Sequence, residues 1–418
     1  MKILLITHNP VSTSNNMGKT FSSLFSSFSK SELCQLYIHP SRPNVDICHS
    51  YYRITDVEAL KSVYTFLAPG GEVIPTSVKD IPRTITSKMK NSALSRLGRD
   101  VVWKLSRWYS KGLKLWLDRE DPTHIFLAPG YAKFIYDIAL KISKDRQIPI
   151  ITYICDDYYF VKTPSSLIGK LQLTMLKRKM ELLMKRTSCL VTICDEIKEL
   201  YSKVFGVQTV TIMTGADISR IRNVDHTPNS VSYFGNVGCN RYVSLCEVGR
   251  ALEEINFSKG KTYTLEIYTD EQDPNILKEL VSIPTIRLQR FVTGKDFKQA
   301  MIGADLLLHT ESFDAASMDL VKHSVSTKIA DSLASGIPLV AYGPAEIASI
   351  KHLRRHDCAF IATTAEALNM ILSKALTISK ERCRVVENAL CTAPKYHDRE
   401  KNSAFLRSVF AEIGKENA

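Results

Sequence analysis

Short apolar runs that favour β-strands alternate with helix-length stretches along the whole chain. In the first half these runs lie at residues 3–7, 33–38, 124–128, 148–155, 189–193 and 209–213. The runs are apolar on both faces, which is typical of strands in a parallel sheet that helices cover on both sides. The alternation therefore predicts an α/β fold built on parallel sheets.

The alternation pauses after residue 215 and then restarts, with further runs at residues 231–234, 264–268, 286–288, 305–309, 338–341 and 359–362. A length of 418 residues also suits two domains better than one core. We therefore predict two Rossmann-like, doubly wound domains, residues 1–215 and 216–392, that face a cleft. We expect residues 393–418 to form a C-terminal helix that packs back on the first domain. Ligands of such domains bind beyond the carboxyl ends of the strands, so the cleft is the expected site.

The positive charge of the chain is concentrated in its first half. Residues 1–215 carry 30 Lys and Arg against 18 Asp and Glu, whereas the remaining residues carry 25 of each. Two basic stretches, 88–116 and 170–186, interleave these charges with apolar residues, and the first contains Trp103, Trp108 and Trp116. This pattern favours helices that lie on anionic lipid, although a core-packed helix with a solvated face has the same pattern. No nucleic-acid-binding motif accompanies the charge.

Segments that would place the chain in a membrane or outside the cell are not evident in the sequence. No run approaches the ~20 apolar residues that span a bilayer, and the first apolar run ends at His8, too early for a signal peptide. The ten cysteines lie singly and without metal-ligand spacing. We therefore expect a cytoplasmic protein with reduced cysteines that contacts the inner face of the membrane peripherally.

The loop after the first apolar run contains Gly18, Lys19 and Thr20, and a helical pattern begins at Phe21. A glycine between a strand and a helix lets a phosphate approach backbone N–H groups and the positive end of the helix dipole. Gly18 is therefore a candidate phosphate-binding residue, although it also suits a simple turn. Gly-Lys-Thr also ends a P-loop, but that motif requires glycine where this chain has Thr13.

Two acids, Asp156 and Asp157, follow the predicted strand 148–155 and precede three aromatic residues. The carboxyl end of a strand is where ligands bind in this class of fold. Acids beside aromatic rings suit a sugar, because carboxylates accept hydrogen bonds from its hydroxyls and rings cover its C–H faces. Asp156 is therefore a candidate catalytic residue, although solvated loop acids or a helix N-cap would give the same pattern.

A second glycine-rich loop, residues 235–240, joins the predicted strand 231–234 to a helical pattern. Arg241 stands at the start of that helix. An arginine there can hold a diphosphate through two parallel N–H donors. Arg241 is therefore a candidate diphosphate-binding residue, unless it is an ordinary surface arginine.

The richest segment, residues 304–342, contains a strand that ends near Glu311 and a helix that starts near Lys328. Ser326 or Thr327 can cap this helix. A lysine at a helix N-terminus is unfavourable against the helix dipole, which predicts a bound anion there. Asp331, one turn further along, suits the ribose hydroxyls of a nucleotide. The candidate nucleotide-binding residues of the segment are Glu311, Thr327, Lys328 and Asp331, and Glu311 is also a candidate catalytic residue.

Together these segments resemble GT-B glycosyltransferases of the family-4 type over nearly the whole chain. Residues 326–338 carry the most specific likeness, to the segment around that family's second acid. Weaker likenesses to the family are carried by the two glycine loops, by residues 190–202 and by residues 213–217. The resemblance implies that the Gly18 loop and Arg241 face the donor diphosphate. It also implies that the further donor-binding residues are Glu311, Thr327, Lys328 and Asp331. It implies a retaining transfer from a nucleotide sugar to a glycan or lipid-linked acceptor, in polysaccharide or glycoconjugate synthesis, without a cofactor or an obligatory metal ion.

The chain departs from that family in two places. Glu311 and Asp331 are separated by 19 residues, whereas the family's two acids stand much closer together, so we interpret residues 312–326 as a loop insertion. The histidine near the family's reaction centre is absent, and Cys155, Asp156 and Asp157 stand in its place. Two other functions therefore stay open: a degenerate GT-B subunit that regulates an active partner, and a sugar-nucleotide epimerase.

Overall fold

The structure is a computed structural model that describes residues 1–11, 16–43, 47–65, 67–75, 93–218 and 229–416. The chain divides into two compact units. The first comprises Met1–Ile212 and Glu400–Ala418, and the second comprises Met213–Arg399. No helix in the described part of the chain is both long and apolar enough to cross a bilayer.

The first unit contains an eight-stranded sheet within the described residues. Its order is β4-β3-β2-β1-β5-β6-β7-β8, and all neighbours are parallel except β3 and β4. The strands are β1 (Ile3–Thr7), β2 (Leu33–Tyr37), β3 (Ser50–Arg53), β4 (Gly71–Glu72), β5 (His124–Leu127), β6 (Ile150–Ile154), β7 (Thr187–Thr192) and β8 (Thr209–Thr211). Every residue of β1 is buried, as expected of a central strand that is covered on both faces. The sequence pattern did not predict β3 and β4.

Helices accompany this sheet in βα alternation. They are α1 (Asn16–Leu24), α2 (Asp56–Thr65), α3 (Ala93–Leu105), α4 (Lys111–Glu120), α5 (Lys133–Arg146), α6 (Leu167–Met184) and α7 (Asp195–Phe205). Helix α1 begins at Asn16, so the prediction of a helix start at Phe21 was wrong. Helix α7 ends at Gly206, whose φ of 61° is the left-handed conformation that glycine adopts at helix ends.

The basic stretch 88–116 forms the two separate helices α3 and α4, and its first residues, 88–92, lie outside the described residues. Trp103 and Trp116 are each only 1% exposed. Trp103 stacks on Phe134 with ring centroids 4.2 Å apart, and its Nε1 donates to Asp56 Oδ1 at 2.8 Å. The expectation that these two tryptophans face a membrane was therefore wrong, because both belong to the core.

The second unit contains a six-stranded parallel sheet within the described residues, in the order β11-β10-β9-β12-β13-β14. The strands are β9 (Ser230–Phe234), β10 (Thr264–Thr269), β11 (Ile286–Arg290), β12 (Leu306–Thr310), β13 (Leu339–Tyr342) and β14 (Phe360–Ala362). Each of these strands overlaps a predicted one, because short apolar runs between polar helices are a strong signal in a parallel sheet. The two doubly wound sheets confirm the predicted fold class.

The helices of the second unit are α8 (Arg241–Lys259), α9 (Pro274–Val281), α10 (Gly294–Ile302), α11 (Ala315–Val321), α12 (Lys328–Ala334), α13 (Ala348–Arg355), α14 (Ala365–Thr377) and α15 (Ser379–Tyr396). Helix α11 lies inside residues 312–326, which were interpreted as a loop insertion. The inserted residues therefore fold in part as a helix, and Asp314 caps it by accepting a hydrogen bond from Ser317 N at 2.9 Å.

The last helix, α16 (Arg399–Glu416), packs on the first unit. Phe410 is fully buried and meets Phe28 edge-on with ring centroids 5.9 Å apart. Arg407 forms an ion pair of 2.6 Å with Glu32, and Ser27 N donates to Ser403 Oγ at 2.9 Å.

Candidate functional site

The second unit brings two chemically active loops together at one point of its sheet. Strands β9 and β12 are neighbours, but the chain continues from β9 to one side of the sheet and from β12 to the other. A crevice opens at such a switch point, beyond the carboxyl ends of the strands. The glycine-rich loop 235–240 follows β9 and Glu311 follows β12, so both border this crevice.

Arg241 and Glu311 form a close ion pair at this point. Arg241 is the first residue of α8, and its Nε donates to Glu311 Oε2 at 2.8 Å. The side chains are 17% and 4% exposed, respectively. Burial alone would lower the pKa of Arg241, but the Glu311 carboxylate outweighs it and raises that pKa. Arg241 Nη2 makes no hydrogen bond to any described residue, so the guanidinium keeps a donor for a ligand.

His309 lies beside the same carboxylate. Its Nε2 is 3.5 Å from Glu311 Oε1 and is buried without a hydrogen-bond partner among the described residues. Burial, which Lys328 and Arg241 reinforce, lowers the pKa of His309 to about 4 against the opposing effect of Glu311. The imidazole is therefore neutral near pH 7, and the cluster of Arg241, Lys328, Glu311 and His309 carries one net positive charge.

Lys328 is the first residue of α12, and its side chain crosses the glycine-rich loop. Its Nζ donates to the Tyr233 hydroxyl at 3.3 Å and lies 4.8 Å from the centre of that ring. A Cβ atom on Gly235 would lie 2.4 Å from both Cε and Nζ of Lys328. Gly235 also has φ of 124°, a conformation that only glycine adopts readily. The close approach of Lys328 to this loop therefore requires glycine at position 235.

The N-terminus of α12, where Lys328 lies, is not capped in the predicted way. Thr327 is the N-cap of α12, but its side chain accepts no hydrogen bond from that helix. Ser326 is held through its backbone N–H, which donates to Ser349 Oγ at 2.9 Å. The prediction that either hydroxyl caps α12 was therefore wrong. Asp331 lies one turn into α12 and is half-buried, and its approach to the ribose stays a prediction.

The other two predicted site residues, Gly18 and Asp156, belong to the first unit. Gly18 lies buried in the first turn of α1 and not in the loop before it. Asp156 follows β6, and its Oδ2 lies 3.4 Å from the Tyr158 hydroxyl, which donates to it. Asp157 has a structural role, because its Oδ1 accepts hydrogen bonds from Tyr159 N, Phe160 N and the Tyr201 hydroxyl at 2.9–3.0 Å.

Neither a protein-family model nor a curated protein matches the chain in sequence. Several solved structures match it over nearly its whole length. Sucrose-phosphate synthase from Thermosynechococcus elongatus has a TM-score of 0.65 at 11% identity, covering 99% of this chain and 98% of that one. HepE from Anabaena in complex with UDP-glucose has a TM-score of 0.63 at 14% identity, covering 99% and 100%. An α,α-trehalose-phosphate synthase (UDP-forming) from Burkholderia xenovorans, in complex with glucose-6-phosphate, has a TM-score of 0.59 at 10% identity, covering 99% and 100%.

The chain has the GT-B fold. The likeness extends over both units, and it agrees with the two parallel sheets described above. Five of the predicted residues, Arg241, Glu311, Thr327, Lys328 and Asp331, lie in the second unit of this GT-B chain, and Arg241 contacts Glu311 directly.

Two residues of this candidate site were not predicted from the sequence. His309 is a polar residue at the end of the apolar run Leu306–Leu308, two positions before Glu311, and that placement was the signal for it. Tyr233 resembles any other buried strand residue in the sequence, yet its hydroxyl donates to Asn236 O at 2.7 Å and accepts from Lys328. Tyr233 therefore joins the loop to α12, a contact that no local pattern reveals.

Metal ligands are not grouped in the described part of this GT-B chain, where no three His, Cys, Asp or Glu side chains are placed to hold an ion. The predicted site residues of the second unit include two cations, Arg241 and Lys328, and two acids, Glu311 and Asp331.

Proposed function

We propose that this protein is a glycosyltransferase that moves a sugar from a nucleotide-sugar donor to a glycan or lipid-linked acceptor, with retention. The observation that carries the proposal is the Arg241–Glu311 pair at the switch point of the second unit, beside the Lys328–Tyr233 contact. Two cations, Arg241 and Lys328, beside one switch point suit the diphosphate of a nucleotide sugar. Polysaccharide or glycoconjugate synthesis is the pathway class that fits such a transfer.

The proposed chemistry follows from charge. The bond from the anomeric carbon to the diphosphate oxygen breaks, and the departing nucleoside diphosphate gains negative charge. Arg241 Nη2 and the Lys328 ammonium stabilise that charge. The acceptor hydroxyl forms the new bond to the anomeric carbon, and its proton passes to the departing diphosphate oxygen. A well-placed donor of this kind accelerates such a step by about 10²–10³. Glu311 holds Arg241 through Nε, and no obligatory metal ion is required in this scheme.

The donor base is proposed from the structural neighbours. HepE was solved with UDP-glucose, and the trehalose-phosphate synthase is described as UDP-forming. Both support a uridine diphosphate sugar as the first donor to test. Asp331 would then accept hydrogen bonds from the ribose hydroxyls, and Gly18 of the first unit stays a proposed donor-binding residue.

Peripheral contact with an anionic membrane, on its inner face in a cytoplasmic protein, is the second part of the proposal. The excess positive charge of the first half and the exposed lysines at the start of α4, Lys111 and Lys114, support it. Each basic residue near an anionic surface contributes about 1 kcal/mol. We propose an electrostatic attraction, since Trp103 and Trp116 are buried and Trp108 is half-buried.

Donor hydrolysis by the purified protein, over a panel of nucleotide sugars, tests the proposal. We expect slow release of UDP from at least one UDP-sugar and a loss of at least tenfold in the Lys328→Ala variant. A protein that binds UDP but hydrolyses no donor would instead be a degenerate GT-B subunit. Conversion of the donor into its epimer without UDP release would indicate an epimerase.

A further inference from the structure

The first unit contains a cavity of about 330 Å³ at its own switch point. Strands β1 and β5 are neighbours there, and the residues that follow both strands line the cavity, among them His8 and Gly130. Ligand cavities commonly measure about 300–1,000 Å³, so this one is large enough for a small polar ligand. None of the donor-site residues of the second unit lines it.

Two arginines on one face of α3, Arg96 and Arg99, line this cavity. Arg99 Nε donates to Asp56 Oδ1 at 2.8 Å, and Arg99 Nη2 donates to His8 Nε2 at 2.9 Å. Because His8 Nε2 accepts that bond, its ring proton lies on Nδ1, which donates to Asn9 Oδ1 at 3.2 Å. The guanidinium is thus fixed at two nitrogens, and Nη1 makes no hydrogen bond to any described residue.

The acid in the lining is paired with a lysine, and Asp56, the ion-pair partner of Arg99, does not line the cavity. Asp100 lines the cavity, but its Oδ2 lies 2.5 Å from the buried Nζ of Lys133, which neutralises it. Burial and the neighbouring Arg99 lower the pKa of His8, so its imidazole stays neutral and adds no charge.

Two helix N-termini add positive potential to the same cavity. Met17, in the first turn of α1, lines it, and so does Ala132, the N-cap of α5. An alanine cap provides no side-chain acceptor, so the first N–H groups of the fourteen-residue α5 are not capped by their own N-cap residue. Two arginines and two helix N-termini around one cavity favour a phosphate.

One side of the cavity also suits a sugar ring. Tyr131 and Tyr158 line it and meet edge-on, with ring centroids 5.0 Å apart. Arg96 lies 5.4 Å from the centre of the Tyr131 ring, and the Tyr158 hydroxyl donates to Asp156 Oδ2 at 3.4 Å. An aromatic surface therefore connects the basic part of the cavity to the candidate catalytic acid Asp156.

We propose that this cavity is the acceptor site and that it binds a phosphate or diphosphate group carried by the acceptor. The proposal rests on the proposed glycosyl transfer and specifies its acceptor class. Arg96 and Arg99 Nη1 bind the phosphate oxygens, and Tyr131 and Tyr158 contact the group attached to the phosphate. The phosphate belongs either to a soluble sugar phosphate or to a lipid-linked diphosphate.

Calorimetric titration of the full-length protein with inorganic pyrophosphate, in the presence of saturating UDP, tests the site. We expect Arg96→Met and Arg99→Met each to raise the Kd at least tenfold. Lys144→Met, which removes an exposed charge of α5 away from the cavity, should leave it unchanged. Because Arg99 also binds Asp56, a thermal melt checks the folding of that variant, and Arg96→Met is the decisive variant if Arg99→Met unfolds. Wild-type affinity in the Arg96→Met variant overturns the proposal.

Further titrations identify the source of the phosphate. If Arg96→Met weakens UDP binding as much as pyrophosphate binding, the cavity serves the donor and the acceptor proposal is overturned. If UDP does not bind at all, the proposed glycosyl transfer fails, and the pyrophosphate titration on the Arg241→Ala variant still tests the cavity.

Glucose 6-phosphate and farnesyl diphosphate then compete against pyrophosphate, with glucose as the uncharged control. Tighter competition by glucose 6-phosphate indicates a soluble acceptor, and tighter competition by farnesyl diphosphate indicates a lipid-linked one. If neither compound competes, the proposal is overturned.

Discussion

The Nε atom of Arg241 donates a hydrogen bond of 2.8 Å to Oε2 of Glu311, which joins the first turn of α8 to the end of β12. The two residues are 70 positions apart in the chain. Ser244 Oγ, one turn further along α8, donates to Glu311 O at 3.0 Å and strengthens the same junction. The pair therefore fixes the two loops of the switch point to each other as well as presenting a cation to a ligand.

Arg241→Ala should lower both stability and donor turnover. It leaves the Glu311 carboxylate buried without its partner, a change that typically costs about 3–5 kcal/mol. Urea unfolding of Arg241→Ala, Glu311→Gln and the double variant measures the coupling between the two side chains. We expect the double variant to be more stable than the sum of the single changes indicates, by more than about 1 kcal/mol.

The ion pair of Lys374 with Glu381, 2.8 Å long but 41% and 27% exposed, is a matched control in the same unit. The same cycle there should give a coupling below about 1 kcal/mol, because solvent screens the pair. Equal coupling in the two cycles would contradict the importance of burial at Arg241 and Glu311.

Gly235→Ala should displace Lys328. The new Cβ would lie 2.4 Å from Cε and Nζ of Lys328, on a backbone whose φ is 124°. We expect a loss of about 1–3 kcal/mol from backbone strain and a fall in donor hydrolysis of at least tenfold. Gly260→Ala is the control, since its φ is 61° but a Cβ there meets nothing within 4 Å. The Gly260→Ala variant should lose stability but keep its hydrolysis rate. A similar loss of hydrolysis in both variants would show that displacement of Lys328 is not the cause.

The sequence predicted the sheets better than the contacts at the site. Buried parallel strands have a strong local signal, and β1 coincides with its predicted range. The two-residue β4 and the segment Ser50–Arg53 lack such a signal, because their pairing depends on the edge of a sheet that is built elsewhere. Lys328 was singled out by its position against the helix dipole, but its contact with Tyr233 spans 95 positions. No local periodicity contains a contact of that range.

Three buried histidines should make the protein unstable in mild acid. Burial lowers the pKa of His309 to about 4, that of His352 to about 3 and that of His397 to about 4. The unfolded chain takes up these protons near pH 6.5, whereas the folded chain does not. Stability should therefore fall as the pH falls from about 6.5 towards 4, by about 1.4 kcal/mol per pH unit for each histidine.

His352 and His397 permit a specific test of this pH dependence. His397 Nδ1 lies 3.0 Å from Thr214 O and must donate to it, so His397 Nε2 accepts the 3.0 Å hydrogen bond from His352 Nε2. In His352→Gln an amide N–H can replace that donor, and one titrating group is lost. Urea unfolding from pH 7.5 to 5 should show a shallower loss of stability than in the wild type. The exposed residue His49 is the control, and His49→Gln should keep the wild-type slope; an unchanged slope in His352→Gln would rule out this source of acid sensitivity.

Membrane attachment should be electrostatic and reversible. Arg107, Lys111 and Lys114 are exposed at and after the junction of α3 and α4, whereas Trp103 and Trp116 are buried and unable to insert. The attraction acts within a Debye length, about 10 Å at 0.1 M salt. The protein should therefore cosediment with anionic vesicles, leave them at high salt and ignore neutral ones. Reversal of these three charges to glutamate should abolish the binding.

The same reversal at Lys261, Lys278 and Lys351, exposed lysines of the second unit, changes the net charge equally and should leave binding intact. Equal loss in both triple variants would mean that net charge alone attracts the protein, and equal binding to neutral vesicles would contradict an electrostatic contact. After either of these outcomes, the basic surface of the first unit would serve a soluble acidic acceptor, which the pyrophosphate titration detects independently.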